Sequence, residues 1–162
     1  MNSPIDSATS ERELVVSRVI EGPPGLVFEV FSDATHLGRW WGPRGFSITT
    51  KTFEFAVGGE WDFIMHGPDG TDYPNWIRFE EISPPERIVL LHGEGPDDPE
   101  SFTSIITLAG TTRGTEVTLR SIFPTKDLCD RAAHEHQAIE GGKQTLARLA
   151  EYASRLADDR SG

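Results

Sequence analysis

Hydrophobic and polar residues alternate most plainly in GEWDFIMH, residues 59–66. Trp61, Phe63 and Met65 share one parity, and Glu60, Asp62 and His66 share the other. A period of two is that of a strand with one buried and one wet face. The segments around it are short, β-branched or aromatic, and separated by turn residues. FSITTKTFEF (46–55) precedes it and ends near Gly58-Gly59. GPDG (67–70) follows as a tight turn, with proline presetting φ and glycine free to take φ > 0. WIRFEEI (76–82), SPPE (83–86), RIVLLHG (87–93) and the acidic loop EGPDDPE (94–100) come next. SFTSIITLAG and GTEVTLRSIF then form a hairpin about TTRG. Six strands joined by short turns predict an antiparallel meander with one face buried.

Both flanks change the pattern. ELVVSRVIEG (13–22) reads as one more strand. PPGLVFEVFSD (23–33) places Val27, Val30 and Phe31 on one helical face after a proline tolerated in a first turn. Asp33 is a good N-cap for a second short helix, ATHLGRWW (34–41), which Gly42-Pro43 stops. From about 126 to 157 the period becomes helical: Leu128, Ala132, Ile139, Leu146, Leu149, Ala153 and Leu156 recur at steps of three and four. The expectation is one long amphipathic helix lying across the inner face of the sheet. Gly141 and Gly142 fall in its middle, where each costs about 1 kcal/mol relative to alanine. They predict a bend or a close approach. A leader over residues 1–10, one domain over 11–158 and a flexible tail over 159–162 complete the expected layout.

Charge narrows the partners. The formal net charge is -11, from 26 acidic and 15 basic residues. Such a surface repels phosphate backbones and anionic bilayers, so neither nucleic acid nor a membrane is an expected partner. The N-terminus lacks the basic and apolar regions of a secretory signal. Cys129 is the single cysteine, which excludes an internal disulfide and fits a reducing compartment. The expected location is cytoplasmic.

Several stretches together carry a family resemblance. VFEVFSDATHLGRWWGP, VGG at 57–59, MHGPDGTDYPN, FEEISPPERIVL, GTEVTL and EGGKQTLARLAEYA occur in an order and spacing that resemble the START/Bet v 1-like (SRPBCC) helix-grip superfamily. More closely they resemble the branch named after the activator of the heat-shock protein 90 ATPase. The resemblance covers about 13–157. It implies an α+β fold: a curved antiparallel sheet of six or seven strands, two short helices after the first strand, and a C-terminal helix over a cavity. Many relatives carry a bulky residue where this chain has Gly142, and several have a glycine near Trp76, so the pocket's shape is expected to be its own. Family members include ligand carriers, lipid-binding domains and some enzymes. The eukaryotic activator works with a second domain for which no sequence is seen here, so the sequence does not support a chaperone partner.

The candidate site follows from strand parity and the helix stripe. Trp61, Phe63, Met65, Phe79 and Leu90 are expected to line a cavity with Val117, Leu119 and Ile139. Trp76 and Ile77 are placed beside them, with Gly142 on the helix. Trp40 and Trp41 stand at the rim, as a plug between short helices and sheet or as a gate. Glu81 shares parity with Phe79, His92 with Leu90, and His136 lies one turn before Ile139. Glu81 with His92 or His136 is the candidate acid/base pair; a plain hydrogen-bonded pair is the alternative. No metal site is expected, because His134 and His136 diverge on a helix and His136 with Glu140 is only two ligands. Neither a phosphate loop nor a nucleophile elbow occurs, and no cofactor is expected. The reading is a protein, not expected to be an enzyme, that binds a small apolar or aromatic molecule between sheet and helix. The alternatives are a chaperone-binding or self-associating module, homodimer included, and a cyclase- or hydrolase-like enzyme using Glu81 and a histidine.

Overall fold

The computed structural model describes residues 10–161. Residues 1–9 of the leader expected over 1–10 and the last residue of the expected tail lie outside them. After a single turn at Ser10–Arg12 comes β1 (Glu13–Ile20), then α1 (Pro24–Glu29) and α2 (Ala34–Trp40). Six strands follow: β2 (Ser47–Phe53), β3 (Glu60–His66), β4 (Asp72–Ser83), β5 (Arg87–Gly93), β6 (Phe102–Thr111) and β7 (Gly114–Ile122). The chain closes with α3 (Lys126–His134) and α4 (Ala138–Ser161).

The seven strands form one sheet in the order β1-β7-β6-β5-β4-β3-β2, antiparallel throughout. The two short helices carry the chain from one edge of the sheet to the other. The meander then returns strand by strand until β7 pairs with β1, Glu13 opposite Ile122 and Ile20 opposite Thr115. β4 begins four residues earlier than its hydrophobic pattern suggests and includes Pro74. Proline is tolerated there because β5 reaches only to Trp76, so the stretch before it pairs with β3 alone.

Capping explains the short helices. The Asp33 side chain accepts from the backbone N–H of Thr35 at 2.7 Å and of His36 at 3.3 Å, holding the first turn of α2. α1 carries its proline in the first turn and buries Val27 and Phe28. The core is the inner face of the sheet with the stripe of α4. Trp61, Phe63, Ile77, Phe79, Ile88, Leu90, Ile106 and Val117 meet Leu146, Leu149 and Ala153. Each large side chain so buried contributes about 1.5–3 kcal/mol.

One expectation is corrected. The tail is two helices, broken at residues 135–137, where Gln137 takes φ 49°. The apolar stripe continues through the break, so periodicity could not reveal it. α3 packs against the N-terminal turn and the start of β1, whereas α4 runs across the sheet. A straight rod could not make both contacts. The glycine pair therefore sits in the first turn of α4 and not in mid-helix. Among the described residues no helix is long and apolar enough to cross a membrane.

Candidate functional site

One end of the space between sheet and helix is filled with aromatic rings. Trp40 is 1% exposed; its Nε1–H donates to the Val30 carbonyl at 3.1 Å, and Phe31 meets it edge-on at 4.8 Å. It is a plug joining the short helices to the core. Trp41 is half-buried and stands edge-on to Trp61 at 5.3 Å. Trp61 in turn stacks on Phe63 at 3.8 Å. Beneath Trp41 lies a cavity of about 10 Å³, walled by Phe31, Leu37, Phe79, Ile88, Leu90 and Ile106 among others. That is room for about one water, far below the several hundred Å³ usual for a ligand site.

The roof over this end is fastened to α4. Gly42 takes φ +98°, a backbone conformation that strains any residue with a side chain and so favours glycine. Arg148 Nη1 donates to the carbonyls of Gly42 at 3.0 Å and Pro43 at 3.1 Å, with longer approaches to Trp41 and Phe46. These are carbonyls left open by the end of α2 and the loop after it. Burial first, and the charge of Arg44 next, lower the Arg148 pKa; an arginine nonetheless stays charged. Arg44 pairs with Glu151 at 2.7 Å, and its backbone N–H donates to Gln144 Oε1. Sequence reasoning missed Arg148 because it lies on the half-polar flank of the helix stripe.

The other end is less full. A groove of about 60 Å³ opens between β1, β7 and the first turns of α4. Leu14, Val16, Leu119 and Ser121 form its floor, and Ala138, Ile139 and Gly142 its helical side. It exists because α4 starts with small residues just after the break. Gly142 is the point of closest approach: a Cβ there would lie 2.9 Å from Val16 Cγ2. The withheld helix side chain thus lets the helix touch β1, and the space opens beside that contact. Ile139, 40% exposed, stands at the mouth. Val117 is fully buried farther along β7.

Four expected positions are corrected. Glu81 does not face inward. A bulge between Phe79 and Glu81 adds one residue to β4 there, so Ile82 and not Glu81 continues the inner row. The Glu81 carboxylate accepts from Ser83 Oγ at 3.0 Å and pairs with Arg87 at 3.2 Å. Trp76 lies on the outer face, since it neighbours inward Ile77 on the strand. Its Nε1–H donates to Glu60 Oε1, and Arg78 lies 5.7 Å over its ring. His136 is exposed in the break between α3 and α4. Ile139 is at the groove's mouth rather than deep in a cavity. The proposed acid/base pair is therefore not assembled.

His92 does face inward, between Phe102 at 4.9 Å and Phe63 at 6.2 Å. Asn75 donates through Nδ2 to the Tyr73 carbonyl, which turns its Oδ1 toward His92 Nε2 at 2.7 Å. That orientation assigns the ring proton to Nε2. Burial lowers the pKa to about 4, so the imidazole is neutral at neutral pH. Among the described residues no group of three or more His, Cys, Asp or Glu is placed to hold a metal ion. Cys129 is buried, and burial raises its thiol pKa.

Comparison with known proteins agrees with this architecture. The family model described as Activator of Hsp90 ATPase homolog 1-like protein matches residues 21–154. A solved structure from Nitrosomonas europaea is 26% identical, with a TM-score of 0.81 over 92% of this chain and 98% of its own. One from Arthrobacter aurescens is 24% identical, with a TM-score of 0.82 over 91% and 88%. One from Mycobacterium smegmatis shares the fold at 19% identity, with a TM-score of 0.78 over 88% and 91%. No curated protein matches the chain.

Proposed function

The chain belongs to the Activator of Hsp90 ATPase homolog 1-like family, and from that membership and the groove under α4 we propose that it binds a small apolar or aromatic molecule between sheet and helix. The observation that carries this reading is the groove itself: apolar on three sides, polar at one point, and bounded by the small residues that open α4. At about 60 Å³ it has room for on the order of four waters. It seats one end of a small molecule, and a longer one enters as the first turns of α4 swing about the break at 135–137. The aromatic end is too full to serve without displacing Trp41. A reducing compartment such as the cytoplasm suits the buried thiol of Cys129.

The test is titration of the full chain with propylbenzene, followed by backbone amide shifts. Shifts concentrated at Val16, Leu119 and Gly142 support the reading, as does their loss in Ala138→Phe, which fills the groove. Saturable binding that Ala138→Phe leaves untouched refutes this location. An absence of saturable binding by propylbenzene and by its phenol and benzoate analogues alike refutes the function.

The nearly solid aromatic end favours a second reading, an interaction module. Its working surface would be the outer face of edge strand β1, where Val15 is 51% and Val19 42% exposed. Sedimentation analysis distinguishes it: self-association lost in Val15→Lys/Val19→Lys supports this reading, and a monomer at all concentrations removes its homodimer form.

A further inference from the structure

The floor of the groove holds one hydroxyl group, that of Ser121, and a second, that of Ser104, stands beside it on the same inner face of the sheet. Ser104 on β6 shares the inner parity of Ile106 and Leu108, and is itself only 9% exposed. Ser121 on β7 shares the parity of Val117 and Leu119 and lines the groove. The two residues stand directly opposite each other across the β6–β7 ladder, which sets their Cβ atoms about 5 Å apart. Among the described residues neither hydroxyl has a hydrogen-bond partner, side chain or backbone. Thr115, the other buried hydroxyl on this face, behaves as expected and donates to the Gly22 carbonyl at 2.9 Å. Most buried polar side chains are paired, so the buried, unpartnered Ser104 directly beside the half-buried Ser121 of the groove points outward from the protein's own bonding.

We infer that Ser104 and Ser121 form the polar end of the groove and hold the uncharged hydroxyl of an otherwise apolar ligand, a phenol or alcohol. This rests on the binding function proposed above and adds the ligand's chemical class. Each serine can both donate and accept, so the pair matches a hydroxyl, which also does both. A pure hydrocarbon would seal the Ser121 hydroxyl from water beside the already buried Ser104 without giving it a partner, which is unfavourable. A carboxylate or phosphate would meet no cationic side chain in the groove's lining. The nearest arginines serve elsewhere: Arg120 pairs with Glu13 on the opposite face at 2.7 Å, and Arg12 donates to the Phe123 carbonyl. The neighbouring inward imidazole, His92, is held neutral by its surroundings and already bonds Asn75. Bringing a bare anion into such a site is costly.

Three probes of matched size decide the matter on the full chain: para-propylphenol, propylbenzene and para-propylbenzoate. Affinity is read from amide shifts at Leu14, Val16 and Leu119. The expected result is phenol binding about tenfold tighter than the hydrocarbon, roughly the net gain of one well-made hydrogen bond pair, and no saturation by the benzoate. The double variant Ser104→Ala/Ser121→Ala should erase the phenol's advantage and leave or improve hydrocarbon binding. Ser121→Ala alone carries the test if the double variant does not fold, with a several-fold loss for the phenol only. Equal affinity for phenol and hydrocarbon, a preference that survives the alanine variants, or saturable benzoate binding overturns the inference while the binding function stands. Binding by none of the three probes overturns both.

Discussion

Replacing Arg148 by methionine keeps an apolar stem against the core and removes the guanidinium that caps the loop over the aromatic end. One nitrogen carries two protons, so of the four carbonyls near Nη1 two can be well bonded, those of Gly42 at 3.0 Å and Pro43 at 3.1 Å. A hydrogen bond to a charged group contributes about 1.5–3 kcal/mol. The loop is partly exposed, and its carbonyls regain water when the arginine is lost, so the low end applies. Part of that is offset because the guanidinium itself returns from a half-buried site. The expected net loss is about 2 kcal/mol. For a domain of this size that is a fall in Tm of about 4–8 °C. Thermal unfolding by circular dichroism gives the midpoint, and amide exchange reports whether opening concentrates in residues 41–46. Arg44→Ala removes only the exposed pair with Glu151 and should move the midpoint far less. A shift for Arg148→Met no larger than that of Arg44→Ala, or exchange raised evenly over the chain, would refute the capping argument.

The two helix glycines should respond in opposite senses. A Cβ at Gly141 meets only Pro43 at an ordinary 3.5 Å, so Gly141→Ala should stabilise by about 0.5 kcal/mol, whereas Gly142→Ala drives a methyl into Val16 and should destabilise by about 1–3 kcal/mol; urea midpoints decide both. His92 makes stability fall with acid. Its folded pKa of about 4 lies below the ordinary 6.5, so as pH drops the unfolded chain takes up the proton first. Stability is lost from pH 6.5 down to 4, by about 2 kcal/mol at pH 5 relative to neutral. His92→Gln should remove that part of the pH slope in urea unfolding, and an unchanged slope would show that the imidazole is better solvated than its neighbours imply. Cys129, 3% exposed with a raised thiol pKa, should resist alkylation at pH 8 until denaturant is added; rapid labelling of the native chain would contradict its burial.

Much of the fold was legible because its cause is local. The alternation in residues 60–66 assigns Trp61 and Phe63 to the core, and both are buried. Asp33 predicts the start of α2, and it caps it. The family resemblance rests on spacing along the whole chain, and the matching family model covers residues 21–154. The site was less legible. Parity alone turns Glu81 inward because a bulge leaves no periodic mark, and Trp76 stands beside Ile77 in the expected lining although adjacent strand residues face opposite ways. The serine missed at the groove had a signal: Ser121, like Ser104 opposite it on the ladder, shares the parity of its apolar neighbours. Arg148 had none, since its partners are backbone carbonyls about a hundred residues away.

The sequence by itself determined which segments are strands and helices, which face of each is apolar, and that the strands run as a meander. These follow from side-chain periodicity, caps and turns, all within a few residues. Only the tertiary structure decided how much space remains between sheet and helix, where the C-terminal rod breaks, and which polar groups face inward without a partner. Those depend on how volumes from distant segments sum at one place: Trp41 descending on Trp61 fills one end, and Gly142 resting on Val16 leaves a groove at the other. No local pattern records that sum, because each contributing side chain is chosen against neighbours it meets only after folding.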